Sequence, residues 1–202
     1  MEIKKIINNK LKNIENFINE NKEKFERGDP FPYIIIEDFF NEEFLNEVLS
    51  EFPDLTKQKK TTNYSNKNEV KFANSDYRKF PNSIKKTFDF LNSDFFLGFL
   101  QDITKIRGKL IPDFELNGGG LHEIKKGGLL KIHSDFNKHP SLSLDRRLNV
   151  LVYLNKNWEE EYGGHLEFWD KNMSFCKQKI LPAFNKMVIF STTDNSNHGH
   201  PD

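Results

Sequence analysis

From about residue 109 onward the chain is a series of short apolar runs cut by glycine-rich breaks, and this pattern constrains its fold more than any other feature. RRLNVLVYLN (146–155), GGHLEFW (163–169) and KMVIFST (186–192) are rich in Val, Ile, Leu and Phe, and GGG, KKGG, YGG and PAFN interrupt the runs. Many short strands bounded by turn signals predict a β-sandwich or barrel. The alternation of side chains along a strand places Arg147, Asn149, Leu151 and Tyr153 on one face of the first of these runs. An Asn on a buried face is costly without partners, so if this face is the inner one Asn149 points to a polar ligand or ordered water.

The first half has a different character. Residues 2–27 carry Ile3, Ile7, Ile14, Phe17, Ile18 and Phe25 among charges, the stripe of an amphipathic helix that stops near Gly28–Pro30. YIII at 33–36 is a short buried strand. NEEFLNEVLSEF is a helix capped by Asn41, with acidic residues in its first turn. Residues 53–80 are polar and weakly periodic, which predicts a long loop, either without fixed structure or a lid over a site. Residues 82–107 predict one further helix, with Ile84, Phe88, Leu91, Phe95 and Leu100 toward the core. The expected class is therefore α+β, mainly β with N-terminal helices: a helical support region over 1–108 and a β core over 109–202, joined without a separating linker.

Composition excludes several function classes. Lys+Arg and Asp+Glu balance at thirty each, so no net charge favours nucleic acid or an anionic membrane. One cysteine, Cys176, precludes an internal disulfide framework and suits a reducing compartment. MEIKKIINNK is not followed by the apolar run of a secretory signal, and no stretch approaches the ~20 apolar residues of a membrane span. A cytoplasmic protein is the expectation. Twenty Phe in 202 residues supply bulky material for one core.

The chemistry concentrates in LKIHSDFNKH (130–139). On an extended strand, residues two apart share a face, so His133 and Asp135 project together toward one ion. His-x-Asp alone is common as a surface polar pair. His198, in the turn-rich DNSNHGHPD just beyond the strand 186–192, supplies a third ligand. Two imidazoles and one carboxylate occupy one face of an octahedron and leave three positions open, as in non-haem Fe(II) oxygenases. A zinc hydrolase uses the same donor types, so the triad alone leaves the metal open.

Taken together, GGGLHEIKKGGLLKIHSDFN, RRLNVLVYLNKNW, YGGHLEFWD and PAFNKMVIFSTTDNSNHGHP resemble the Fe(II)- and 2-oxoglutarate-dependent dioxygenases of the prolyl 4-hydroxylase type over residues 109–201. The resemblance implies a double-stranded β-helix (jelly-roll) core supported by helices, with His133, Asp135 and His198 as iron ligands. It makes His198 the ligand in preference to His200. It also implies that Asn149, Leu151 and Tyr153 face the 2-oxoglutarate site, with Tyr153 bonding its tail, and that Leu166 packs against the same cosubstrate. Fe(II), 2-oxoglutarate and O₂ are then required, succinate and CO₂ are coproducts, and ascorbate keeps the iron reduced. The expected substrate is peptidyl (proline-type) or a small molecule. His122, His139 and His165 have no matching role: His122 is expected near the pocket mouth, His139 in a loop and His165 facing outward.

One departure from the family pattern concerns the basic residue that holds the distal carboxylate of 2-oxoglutarate about ten residues past the distal His. The chain stops at Asp202, and a natural protein continuing beyond it is expected. Arg147 is the one substitute within the sequence. The competing functional readings are a zinc-binding, cupin-like β-helix protein and a non-catalytic binding module.

Overall fold

The computed structural model describes residues 3–11, 13–139 and 142–201. Among the described residues, four α-helices and ten strands run in the order α1 (Ile14–Glu26), β1 (Tyr33–Glu37), α2 (Glu42–Glu51), β2 (Thr62–Ser65), β3 (Glu69–Asn74), α3 (Asn82–Leu91), α4 (Asp94–Thr104), β4 (Leu121–Glu123), β5 (Leu129–His133), β6 (Leu148–Val152), β7 (Leu166–Trp169), β8 (Cys176–Ile180), β9 (Lys186–Ser191) and β10 (His198–His200). Two sheets result. The smaller has the order β1-β9-β6, and the larger has β2-β3-β5-β10-β7-β8 with β4 paired to β3. All these ladders are antiparallel.

The central strand β9 explains how the layers stack. Met187 and Ile189 belong to the core shared with the helices, whereas Val188 and Phe190 belong to a second core between the sheets. Period-2 alternation thus buries both faces of one strand. β1 and β6 repeat the division. Ile34, Ile36, Leu148, Val150 and Val152 pack toward the helices, and Tyr33, Ile35, Leu151 and Tyr153 pack between the sheets. Phe39, Phe40, Phe90 and Phe96 fill the helical side without measurable exposure beyond 1%, each contributing roughly 1.5–3 kcal/mol of burial. Asn185 ties the two regions together: its Oδ1 accepts from the Phe40 N–H at 3.0 Å and its Nδ2 donates to the Phe40 carbonyl at 2.9 Å.

Three expectations for the first half change. The helix anticipated over 2–27, of which residues 2 and 12 lie outside the described residues, is α-helical only from Ile14; Asn13 caps it by accepting from the Asn16 N–H, and single 3-10 turns precede it. The helix over 82–107 is two helices, because Ser93 takes an extended conformation and its hydroxyl caps α4 through the Phe96 N–H. The largest correction is the polar loop over 53–80. It contains the β2–β3 hairpin, whose strand β3 pairs with both β4 and β5. The Asn66 side chain closes its turn by accepting from the N–H groups of Asn68 and Glu69. Strands from both sides of residue 108 therefore share each sheet. Among the described residues, no helix is long and apolar enough to cross a membrane.

Candidate metal centre

His133 ends β5 and His198 begins β10, and the two are direct partners across the ladder. Their rings lie 4.7 Å apart between centroids. Asp135 follows two residues beyond His133. Its Oδ1 is 3.6 Å from His133 Nε2 and its Oδ2 is 3.6 Å from His198 Nε2. One donor atom from each residue lies within 4.8 Å of the other two, and this is the one such cluster of three among the described residues.

Local structure sets this convergence. β10 can approach β5 because residue 199 is glycine: a Cβ there would meet the Leu130 and Lys131 carbonyl oxygens at 2.6 and 2.8 Å. The turn before His198 is held by Asn197, whose Nδ2 donates to the Asp170 carbonyl and whose Oδ1 accepts from the Ser134 hydroxyl at 2.8 Å. Ser134 lies between His133 and Asp135, so this bond links the two segments of the cluster.

The nitrogen assignments favour a metal. His133 Nδ1 lies 2.8 Å from the Lys131 carbonyl, and His198 Nδ1 lies 2.8 Å from the Ser196 carbonyl. A carbonyl only accepts, so each ring carries its proton on Nδ1 and turns the lone pair of Nε2 toward Asp135. Burial disfavours the charge of the Asp135 carboxylate, but the contact with His133 and the positive potential of His198 and Arg146 outweigh it and hold its pKa below the usual range. Burial pushes His198 down, toward the neutral form a metal requires, while the contact with Asp135 raises His133. Two lone pairs and an ionised carboxylate at this spacing fit a divalent cation.

His200 stays outside the cluster. It pairs with Leu130 past an irregularity in the ladder, and burial lowers its pKa to about 4. His122 is on β4, within electrostatic reach of Asp135 and Arg146. His139 contacts Asn117 through Nε2, and His165 contacts Glu160.

Leu151 and Tyr153 from the side of the smaller sheet, and Leu166 and Phe168 from β7 beside β10, meet Phe190 in the core between the sheets. Phe190 also packs on the ring of His198 at 4.7 Å. Burial raises the pKa of Tyr153, keeping its hydroxyl protonated and able to donate. Asn149 Nδ2 donates to Asp135 Oδ2 at 2.8 Å. Arg147 is exposed, and its neighbour reaches the site instead: Arg146 Nη2 is 3.6 Å from Asp135 Oδ2, and its guanidinium stacks on Phe136 at 4.8 Å. Strand parity selects Arg147 only if the strand extends that far, and β6 starts at Leu148. Tyr33, whose hydroxyl donates to Gln178 Oε1 at 3.3 Å, joins the same inner core without any motif to reveal it.

Residues 119–202 match the family described as the 2OG-Fe(II) oxygenase superfamily. No curated protein sequence matches the chain. Among solved structures, a prolyl hydroxylase from Trichoplax adhaerens, in complex with a hypoxia inducible factor oxygen degradation domain peptide, superposes with a TM-score of 0.68 at 19% identity, covering 95% of this chain and 86% of that one. A prolyl-4-hydroxylase from Pseudomonas putida gives 0.62 at 12% identity and 91% coverage of both chains. A prolyl 4-hydroxylase from Phytophthora capsici gives 0.60 at 20% identity, covering 93% of this chain and 60% of that one. The histidine–aspartate–histidine cluster lies within the segment that is similar to the 2OG-Fe(II) oxygenase superfamily, and the two-sheet core shares the fold of these solved prolyl hydroxylases.

Proposed function

We propose that the protein is an Fe(II)- and 2-oxoglutarate-dependent dioxygenase that hydroxylates an unactivated C–H bond, with a prolyl residue of a peptide as its substrate and succinate and CO₂ as coproducts. The observation that carries this reading is the convergence of His133 Nε2, His198 Nε2 and the Asp135 carboxylate at the inner wall of a two-sheet core. These three would hold the iron on one face. When bound, the metal supplies the oxidative chemistry that couples decarboxylation of 2-oxoglutarate to hydroxylation, and ascorbate is the reductant expected to maintain it.

The chain's own residues bind, orient and exclude water. Leu151 and Leu166 offer an apolar wall for the methylene groups of 2-oxoglutarate, and the protonated Tyr153 hydroxyl donates to its distal carboxylate. No side chain is needed as a general acid or base. A peptide substrate is supported by the rim of the site. Phe136, which directly follows Asp135, is exposed and offers an apolar surface beside the cluster. The Trichoplax structure holds a peptide on the same fold.

The test is anaerobic titration of the metal-free protein with Fe(II) and then 2-oxoglutarate, followed by admission of O₂. A weak visible charge-transfer band that needs both additions, and succinate release that needs O₂, are expected. A protein that binds one Fe(II) but develops no band with 2-oxoglutarate refutes the assignment, and hydrolytic activity with Zn(II) in its place would point to the zinc reading.

A further inference from the structure

Asp135 is the one ligand of the three that no strand holds, since β5 ends at His133. Its orientation therefore depends on what its carboxylate touches. Oδ2 accepts from Asn149 Nδ2 at 2.8 Å, and Arg146 Nη2 stands 3.6 Å from the same oxygen, beyond good hydrogen-bond distance. Asn149 lies on β6 in the opposite sheet, where its ladder partner is Phe190, the residue whose ring packs on His198. One cross-strand pair of the smaller sheet thus contacts two of the three ligands carried by the larger sheet.

We infer that Asn149 is a positioning residue: its amide clamps Asp135 Oδ2 across the gap between the sheets and presents Oδ1 to the metal. This rests on the reading of His133, Asp135 and His198 as metal ligands. A neutral amide suits the task because it fixes the carboxylate without cancelling the charge that attracts the cation. It also accounts for the inward-facing Asn with a protein partner, one N–H of its amide being used on Asp135.

The test compares Co(II) binding to the metal-free parent protein, Asn149→Leu, Asn149→Asp and Val150→Ala, by titration and by the visible Co(II) absorption spectrum. Leu removes the donor at similar volume, and Asp keeps the shape while setting an acceptor against an acceptor. Val150→Ala weakens the same strand on its helix-facing side and leaves the clamp in place. Both Asn149 variants are expected to bind Co(II) about 10–100-fold more weakly with an altered spectrum. Val150→Ala is expected to lower the melting temperature while holding Co(II) affinity within about twofold of the parent. Should Asn149→Leu fail to fold, Asn149→Asp carries the comparison. An Asn149 variant that binds Co(II) as the parent does, or a Val150→Ala loss as large as theirs, overturns the inference. A parent that binds no Co(II) overturns it together with the proposed function. A parent that binds Co(II) but shows no spectral response to 2-oxoglutarate defeats the cosubstrate assignment and leaves the role of Asn149 standing.

Discussion

Gly199→Ala tests how closely the metal site depends on backbone approach. A Cβ at 199 would sit 2.6 Å from the Leu130 carbonyl oxygen against the 3.4 Å of ordinary contact, a shortfall of 0.8 Å, with the Lys131 carbonyl at 2.8 Å closing the other side. Both obstacles are backbone atoms of β5, so no rotamer change relieves the clash, and β10 must move away from β5. Overpacking of this kind costs roughly 1–3 kcal/mol, which for a chain of this length lowers the melting temperature by roughly 2–12 °C. The displacement falls one residue from His198, whose ladder partner is His133, so metal affinity should fall with stability. The contrast is Gly98→Ala on α4, where nothing lies within 4 Å of the new Cβ and the helix gains roughly 0.5–1 kcal/mol. Thermal unfolding of both variants, with and without Co(II), measures each effect. A Gly199→Ala protein that melts and binds metal like the parent would refute the argument that close strand approach builds the site.

Replacing His133, Asp135 or His198 with Ala should abolish stoichiometric Co(II) binding in a titration while the protein remains folded by circular dichroism; retained tight binding in any one would remove that residue from the ligand set. Asn185→Ala deprives the buried Phe40 N–H and carbonyl of their partners, at a cost of roughly 2–4 kcal/mol for two unsatisfied groups, to be read from denaturant unfolding. The metal-free protein should lose stability as pH falls from 7 to 4. His198 and His200 have folded pKa values pushed below 6.5 by burial, His200 to about 4, so the unfolded chain binds those protons first and their contribution is lost on acidification. His133 has the opposite sign, with a raised folded pKa whose contribution is present below 6.5 and fades above it. His122, lowered to about 4 by burial, acts with His198 and His200, so three groups oppose one, and a melting temperature that rises over this range would contradict the assignment of buried, neutral rings.

The parts of the molecule legible in the sequence are those governed by a single strong signal. The runs 146–155 and 186–192 became β6 and β9 because their apolar residues pack on both faces, partly buried in β6 and fully buried in β9, which leaves little alternative for so hydrophobic a segment. Asn41 and its following acidic residues gave the α2 boundary because capping is a local bond, here to the Phe44 N–H at 3.0 Å. The hairpin over Thr62–Asn74 was hidden for the opposite reason. Thr62–Ser65 is mostly exposed, so its ladder forms through backbone bonds that any side chain permits, and its place is set by pairing with distant β4 and β5.

The site divides along the same line. His133 and Asp135 are two apart in sequence, so parity paired them in the sequence, although β5 ends at His133 and Asp135 lies beyond it. Arg146 could not be found that way, because it precedes the regular part of β6 and reaches Asp135 from a segment whose course is fixed by a bond from its own N–H to the Asn137 carbonyl at 2.9 Å. Parity put Asn149 on one face with Leu151 and Tyr153 and the family resemblance made that face the inner one, but neither gave the partner of its amide: the bond to Asp135 exists only once two sheets lie face to face. A ligand triad is thus readable as a motif, whereas the contacts that orient its carboxylate belong to the packing of one sheet on the other, and a chain with the same motif on a different second sheet would hold its metal less firmly.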